Sequence, residues 1–210
     1  MRAWLLVMGA LAGGPRPVPS SAADDDALAA RARAGDRAAF EQLYRRHADV
    51  VYARLSRLVG PVAERDDLTQ EVFLGLHRAL PRFRGDATVT TLLYRITANV
   101  AFDHLRRRRR RPSQPLDEAT LAGLISHDAG PDERARRAQE LARVFACLDR
   151  IKPAKRVALL LRVVEGLSFA EIGAIVDAAP EAAKKRVQHG LRELTALLAR
   201  AGVAGEEVRR

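Results

Sequence analysis

The sequence predicts an all-α protein of two small helical domains joined by a flexible linker. Three observations carry this expectation. Apolar residues recur at three- and four-residue spacing through most of the chain, the period of an amphipathic helix. Strand-type alternation of β-branched residues is almost absent, while alanine, leucine and arginine dominate. The helical periodicity is interrupted over 113–134, a stretch poor in aromatics that contains Gly130-Pro131. A chain of 210 residues can bury one full core or two small ones. Its net charge of +10 bears on partners rather than fold, and points to a polyanion or an anionic surface. The single cysteine, Cys147, cannot form an internal disulfide, and beside Val144 and Leu148 it is expected to be buried and inert.

Taken in order, residues 1–26 begin with a charged start, a short apolar run and small residues at 20–23. This reads either as an unstructured extension or as a weak secretory signal. It is too short for a membrane-spanning helix, which needs ~20 apolar residues. Asp24, Asp25 and Asp26 are expected to cap a short helix ending at Gly35, and Asp36 to cap the next. From Arg37 to Val59 the stripe is Phe40, Leu43, Tyr44, His47, Val51, Leu55 and Leu58, with His47 as a packed core residue rather than a ligand. Gly60-Pro61 breaks that helix. From about Glu64 to Leu80 the apolar positions are Leu68, Val72, Phe73, Leu76 and Leu80. The opposite side carries Asp66, Asp67, Gln70 and Glu71, either a solvated face or a docking surface for a basic protein.

Pro81 ends this helix, and the loop Arg82-Phe83-Arg84-Gly85-Asp86 follows. Phe83 between two arginines can stack on a base while they hold phosphates. A helix starting at Thr88 or Thr90 is expected to bury Val89, Leu92 or Leu93, Ile96, Val100 and Leu105. Tyr94, Arg95, Thr97, Ala98, Asn99, Asp103 and His104 are spread over its other faces. Six arginines, Arg106 to Arg111, close the segment. They cannot all face one groove, so their expected role is phosphate attraction.

The first domain is placed at 27–112 and the linker at 113–134, which at ~3.3 Å per residue reaches on the order of 70 Å. The second domain is placed at 135–204, with a tail at 205–210. Helical periodicity resumes from Ala135 to Arg150, and Pro153 starts another helix that ends at Gly166. Ser168-Phe169-Ala170-Glu171 matches a capping box. A short helix, a turn at Asp177-Ala178-Ala179 and a helix from Pro180 bearing Lys184, Lys185, Arg186, His189 and Arg192 together make the pattern of a helix-turn-helix.

These residues carry a family resemblance. Asp67-Leu68-Thr69-Gln70-Glu71-Val72-Phe73, Ala79 to Gly85, Leu93-Tyr94-Arg95-Ile96, Asn99 and Asp103 to Arg107 resemble region 2 of the extracytoplasmic-function (ECF) class of sigma-70 family sigma factors. Val164 to Ile172, with Lys184 and Arg186, resembles region 4. The resemblance implies a region 2 helical bundle and a region 4 helix-turn-helix. It implies a promoter-specificity subunit that binds core RNA polymerase through Asp67, Leu68, Gln70, Glu71 and Phe73. Recognition and melting of the −10 element fall to Arg82, Phe83, Arg84, Tyr94, Arg95, Asn99, His104, Arg106 and Arg107. Recognition of the −35 element falls to Ser168, Lys184, Lys185, Arg186, His189 and Arg192.

The expected partners are core polymerase and promoter DNA in the cytoplasm, with an anti-sigma factor consistent with the family. No catalytic residue, metal, cofactor or small-molecule substrate is expected, because polymerisation chemistry belongs to the core enzyme. There are also departures from the family pattern. Val89 and Leu92 stand where it usually has an aromatic followed by tryptophan, which predicts altered strand separation. Ala182-Ala183-Lys184-Lys185-Arg186 and His189-Gly190 depart from its usual recognition helix, so no −35 preference carries over. Two other readings compete: a stand-alone helix-turn-helix regulator, which leaves the acidic face without a purpose, and an exported helical protein, which rests on the N-terminal run.

Overall fold

A computed structural model of the chain describes residues 22–109 and 130–202. The signal-like run, Arg110 and Arg111, most of the expected linker and the 205–210 tail lie outside the described residues. Within them the chain forms eight α-helices: α1 (Ala22–Arg33), α2 (Arg37–Val59), α3 (Arg65–Ala79), α4 (Val89–Arg108), α5 (Pro131–Asp149), α6 (Pro153–Val163), α7 (Phe169–Ile175) and α8 (Pro180–Arg200), with a 3-10 turn at Leu80–Arg82.

The first four helices pack as one bundle. Asp36 starts α2 as expected, its carboxylate accepting the Ala39 N–H at 3.1 Å. Gly60 ends α2 with a φ of 91°, a conformation that a Cβ disfavours. The aspartates at 24–26 do not cap from outside, because they lie within α1. Asp25 is fully buried and pairs with His47 at 2.9 Å and Arg46 at 3.0 Å, and Asp26 accepts the Val89 N–H at 2.7 Å, at the start of α4. Tertiary pairing thus takes these carboxylates away from a local capping role. His47 is packed, as expected.

α4 starts after Thr88, whose hydroxyl accepts the Thr91 N–H. Its buried stripe is Val89, Leu93, Thr97, Ala98, Val100, Ala101 and Leu105, which moves Thr97 and Ala98 inward from the expected outer faces. Thr97 can be buried because its hydroxyl donates to the Leu93 carbonyl at 2.8 Å. α5 begins at Pro131, inside the stretch expected to be linker, because proline suits the first helical position after Gly130.

The second group is α5 to α8, with α8 lying on α6 and α7. The two groups are packed together: α4 lies against α6 and α7, and α2 against α6. Their buried apolar side chains form one cluster. A Cβ on Gly60 would stand 2.9 Å from the Phe145 ring, so α5 docks directly on the end of α2. The Arg156 Nε donates to the Leu58 carbonyl at 2.9 Å across the same junction.

Candidate nucleic-acid interface

The acidic side of α3 is presented outward, with Asp67, Gln70 and Glu71 exposed. Leu68 and Phe73 are each only 3% exposed. They cannot touch a partner, and instead hold α3 against the core. Leu74 belongs in the face expected for them, being 55% exposed and three residues after Glu71. An apolar residue on the polar side of an amphipathic helix is the signal that could have found it. Tyr44, also exposed, adds a ring beside Phe73 at 4.6 Å between centroids.

Farther along α3, Arg78 joins Arg82, Phe83, Arg84, Leu92 and Arg95 to line a groove of about 660 Å³, which Ala174 of α7 also borders. Arg33 fixes its loop, donating to the Phe83 carbonyl at 3.0 Å. Neither Arg33 nor Arg78 stands out in the sequence; the basic last turns of α1 and α3 are the available signal. Arg95 and Asn99 are exposed one helical turn apart on α4, on the face that Leu92 begins. Of the two departures from the family pattern, Val89 is core and Leu92 is half-buried at the groove. Four guanidinium groups, an aromatic and an apolar edge make this a surface for phosphates and an unstacked base.

Tyr94 is turned away from that groove. Its ring lies 3.3 Å from the Arg54 guanidinium carbon, and its hydroxyl donates to Glu165 at 3.4 Å. Glu165 follows α6 in the second group, and it also takes Arg54 at 3.1 Å and Arg57 at 3.1 Å. Burial, opposed by the Arg54 charge, raises the Tyr94 pKa above its ordinary value, which keeps the hydroxyl a donor. One expected DNA-binding residue is therefore held in the seam between the two groups.

His104 also leaves the expected DNA face. Its Nε2 is buried with no hydrogen-bond partner. Burial lowers its pKa below 6.5, the Arg108, Arg107 and Arg156 charges add to the effect, and Glu64 opposes it. As pH falls through 6.5 the unfolded chain takes up this proton before the folded one does. The stability that His104 holds above that pH is therefore lost on acidification. The urea midpoint is expected to fall between about pH 7.5 and 5.5, and His104→Gln to fall less over that window. An equal fall in both would show that His104 is not the sensing group. Arg106 and Arg107 remain exposed, paired with Asp103 at 3.3 Å and with Glu71 at 3.6 Å.

The helix-turn-helix forms as the sequence indicates. The Ser168 hydroxyl accepts the Glu171 N–H at 3.2 Å and the Glu171 carboxylate accepts the Ser168 N–H at 2.7 Å. Ser168 is thereby tied to capping α7. Lys185, His189 and Arg192 share one exposed face of α8, flanked by half-buried Lys184 and Arg186. Two glycines set the motif. A Cβ on Gly173 would stand 2.5 Å from the Ala178 carbonyl oxygen, and one on Gly190 would stand 3.1 Å from the Lys155 carbonyl oxygen. Gly190, a poor helix residue by propensity, is where α8 comes against α6.

Residues 43–111 match the family described as Sigma-70 region 2, and residues 141–194 match Sigma-70, region 4. The ECF RNA polymerase sigma-E factor of Escherichia coli (strain K12) is 34% identical over 170 residues, covering 78% of this chain and 88% of that protein. The ECF RNA polymerase sigma factor SigE of Mycolicibacterium smegmatis is 34% identical over 169 residues, covering 79% of this chain and 65% of that longer protein. The structure of CnrH in complex with the cytosolic domain of CnrY aligns with a TM-score of 0.58 at 28% identity, over 84% of this chain and 97% of that one. The chain belongs to the sigma-70 family, in its ECF class. Its function is that of a sigma factor, a promoter-specificity subunit in transcription initiation.

Proposed function

We propose that the chain binds core RNA polymerase through the outward face of α3, made of Asp67, Gln70, Glu71 and Leu74. The basic groove and the Arg95–Asn99 face of α4 take the −10 element, and the Lys185–His189–Arg192 face of α8 takes the −35 element. The observation that carries this reading is the division of surfaces: an acidic face with one exposed leucine over the earlier turns of α3, and an arginine-lined groove from its last turn onward. A stand-alone DNA-binding regulator would have no use for the first. Cytoplasmic action follows from these two partners. No described helix is long and apolar enough to cross a membrane.

The contacts of Tyr94 and the packing of α7 beside the groove add a condition. DNA engagement requires the two groups of helices to separate, which releases Tyr94 from Glu165. CnrH, a similar protein of known structure, is in complex with the cytosolic domain of CnrY. A protein inhibitor that holds the two groups together fits the same logic here.

The test is a pull-down with core polymerase followed by run-off transcription. Replacing Gln70 and Glu71 with lysine is expected to weaken core binding roughly tenfold or more, since it reverses the charge at Glu71 and adds a positive charge at Gln70. Replacing Arg84 and Asn99 with alanine is expected to leave core binding intact and reduce open-complex formation. Equal loss of core affinity in both pairs would overturn the assignment.

A further inference from the structure

We infer that the junction of α4 with the α5–α6 corner is a binding site for a phosphate-class anion. The cavity there has a volume of about 240 Å³ and is lined by Leu105, Arg108, Arg109, Asp149, Ile151, Pro153 and Arg156. Arg108 and Arg109 come from the end of α4, and Asp149 and Arg156 from the second group. Arg156 is the built element. It is 1% exposed, its Nε donates to the Leu58 carbonyl, its Nη1 to Asp149, and its Nη2 has no hydrogen-bond partner. A guanidinium so deeply buried with an unused donor is costly to keep. Among the described residues that line it Asp149 is the one carboxylate, and it is shared between Arg156 and Arg108, the latter at 3.5 Å. Three guanidinium groups and one carboxylate are thus the charged groups of the described lining.

Arginine forks match the oxygens of a phosphate group, and the unpartnered Arg156 Nη2 is a donor that such an oxygen would take. The source of the phosphate is a free anion or a mononucleotide, and Leu105, Ile151 and Pro153 offer the apolar wall a base would need. Because the lining comes from both groups of helices, an occupant favours the packed arrangement over the separated one. The site stands independently of how promoter DNA is bound.

The full chain is titrated in phosphate-free buffer with inorganic phosphate, pyrophosphate and a nucleoside triphosphate, at ionic strength matched with chloride. Heat of binding and thermal midpoint are the readouts. Saturable one-to-one binding of pyrophosphate is expected, with a rise in midpoint. Arg108→Gln with Arg109→Ser is expected to weaken it roughly tenfold. Asp149→Asn is expected to tighten it severalfold, because it removes the competing carboxylate. These opposite signs separate a ligand site from loss of packing, and circular dichroism checks that both variants fold. Tighter binding of the triphosphate than of pyrophosphate assigns the source to a nucleotide, and weaker binding assigns it to the free anion. No saturation by about 10 mM, or equal binding in all three proteins, would mean an adventitious ion only and would overturn the site.

Discussion

Glu165→Ala is expected to open the protein along the seam between its two groups of helices. The Glu165 carboxylate is 8% exposed and the Arg54 side chain 2%, with Arg57 and the Tyr94 hydroxyl on the same two oxygens. A buried ion pair contributes little net stability when intact, because desolvation offsets the attraction. Removing one partner is different, since Arg54 and Arg57 are then left charged, buried and unbalanced, at a cost of about 3–5 kcal/mol. Separating the groups lets water reach both guanidinium groups, so the chain relaxes by opening rather than by unfolding each bundle. The radius of gyration from X-ray scattering should rise, amides of α6 and α7 should exchange faster, and binding of −10 single strand by the free chain should increase. Glu165→Gln, which keeps one acceptor oxygen for these donors, should show a smaller effect. An unchanged radius and unchanged exchange in the alanine variant would show that the apolar contacts of Phe145 and α6 hold the groups together unaided.

Gly173→Ala is expected to disable the helix-turn-helix. Helix propensity alone favours alanine over glycine by ~1 kcal/mol, so a simple reading of sequence predicts stabilisation. Geometry opposes it: the new Cβ would stand 2.5 Å from the Ala178 carbonyl oxygen, and that oxygen belongs to backbone. The Ala178 N–H is itself bonded to the Gly173 carbonyl at 2.9 Å, so the turn cannot shift without losing that bond. Overpacking costs about 1–3 kcal/mol where side chains can adjust, and the lost bond adds to it here. The clash therefore wins. Duplex −35 binding by the variant should be lost and the thermal unfolding of α7–α8 should come early, while the bundle of α1 to α4 keeps its exchange protection. A variant as stable as the parent would mean that the turn at 176–179 has another low-energy conformation.

Local chemistry made some of the structure legible. The bounds of α2 could be read because its cap and terminating glycine are local signals, whereas Tyr44 of its expected stripe is exposed and Arg54 and Arg57, expected on the outer face, are buried against Glu165. The capping box of α7 and the proline start of α8 are local signals as well. Facing relations along a helix were legible too, which is why the Asp67–Gln70–Glu71 face is where it was expected. What failed depended on partners far away in sequence. Asp25 looks like a capping residue until His47 is brought to it. Tyr94 and His104 look like surface residues of a DNA-binding helix until α6 packs on α4 and takes them inward. Leu68 and Phe73 belong to a motif, but a motif mixes residues that build a face with residues that present it. Only burial tells the two apart.

The close approach at Gly190 has a consequence for how such a protein diversifies. α8 meets α6 there near main-chain atoms, at Lys155, rather than through long interlocking side chains. The height and rotation of the reading helix are therefore set on its inner side, by a position with no side chain to vary. Lys185, His189 and Arg192 project from the opposite, exposed side and hold nothing in place. They can be exchanged for other residues without re-aiming the helix that carries them. The module behaves like a printing block with a fixed mount and interchangeable type.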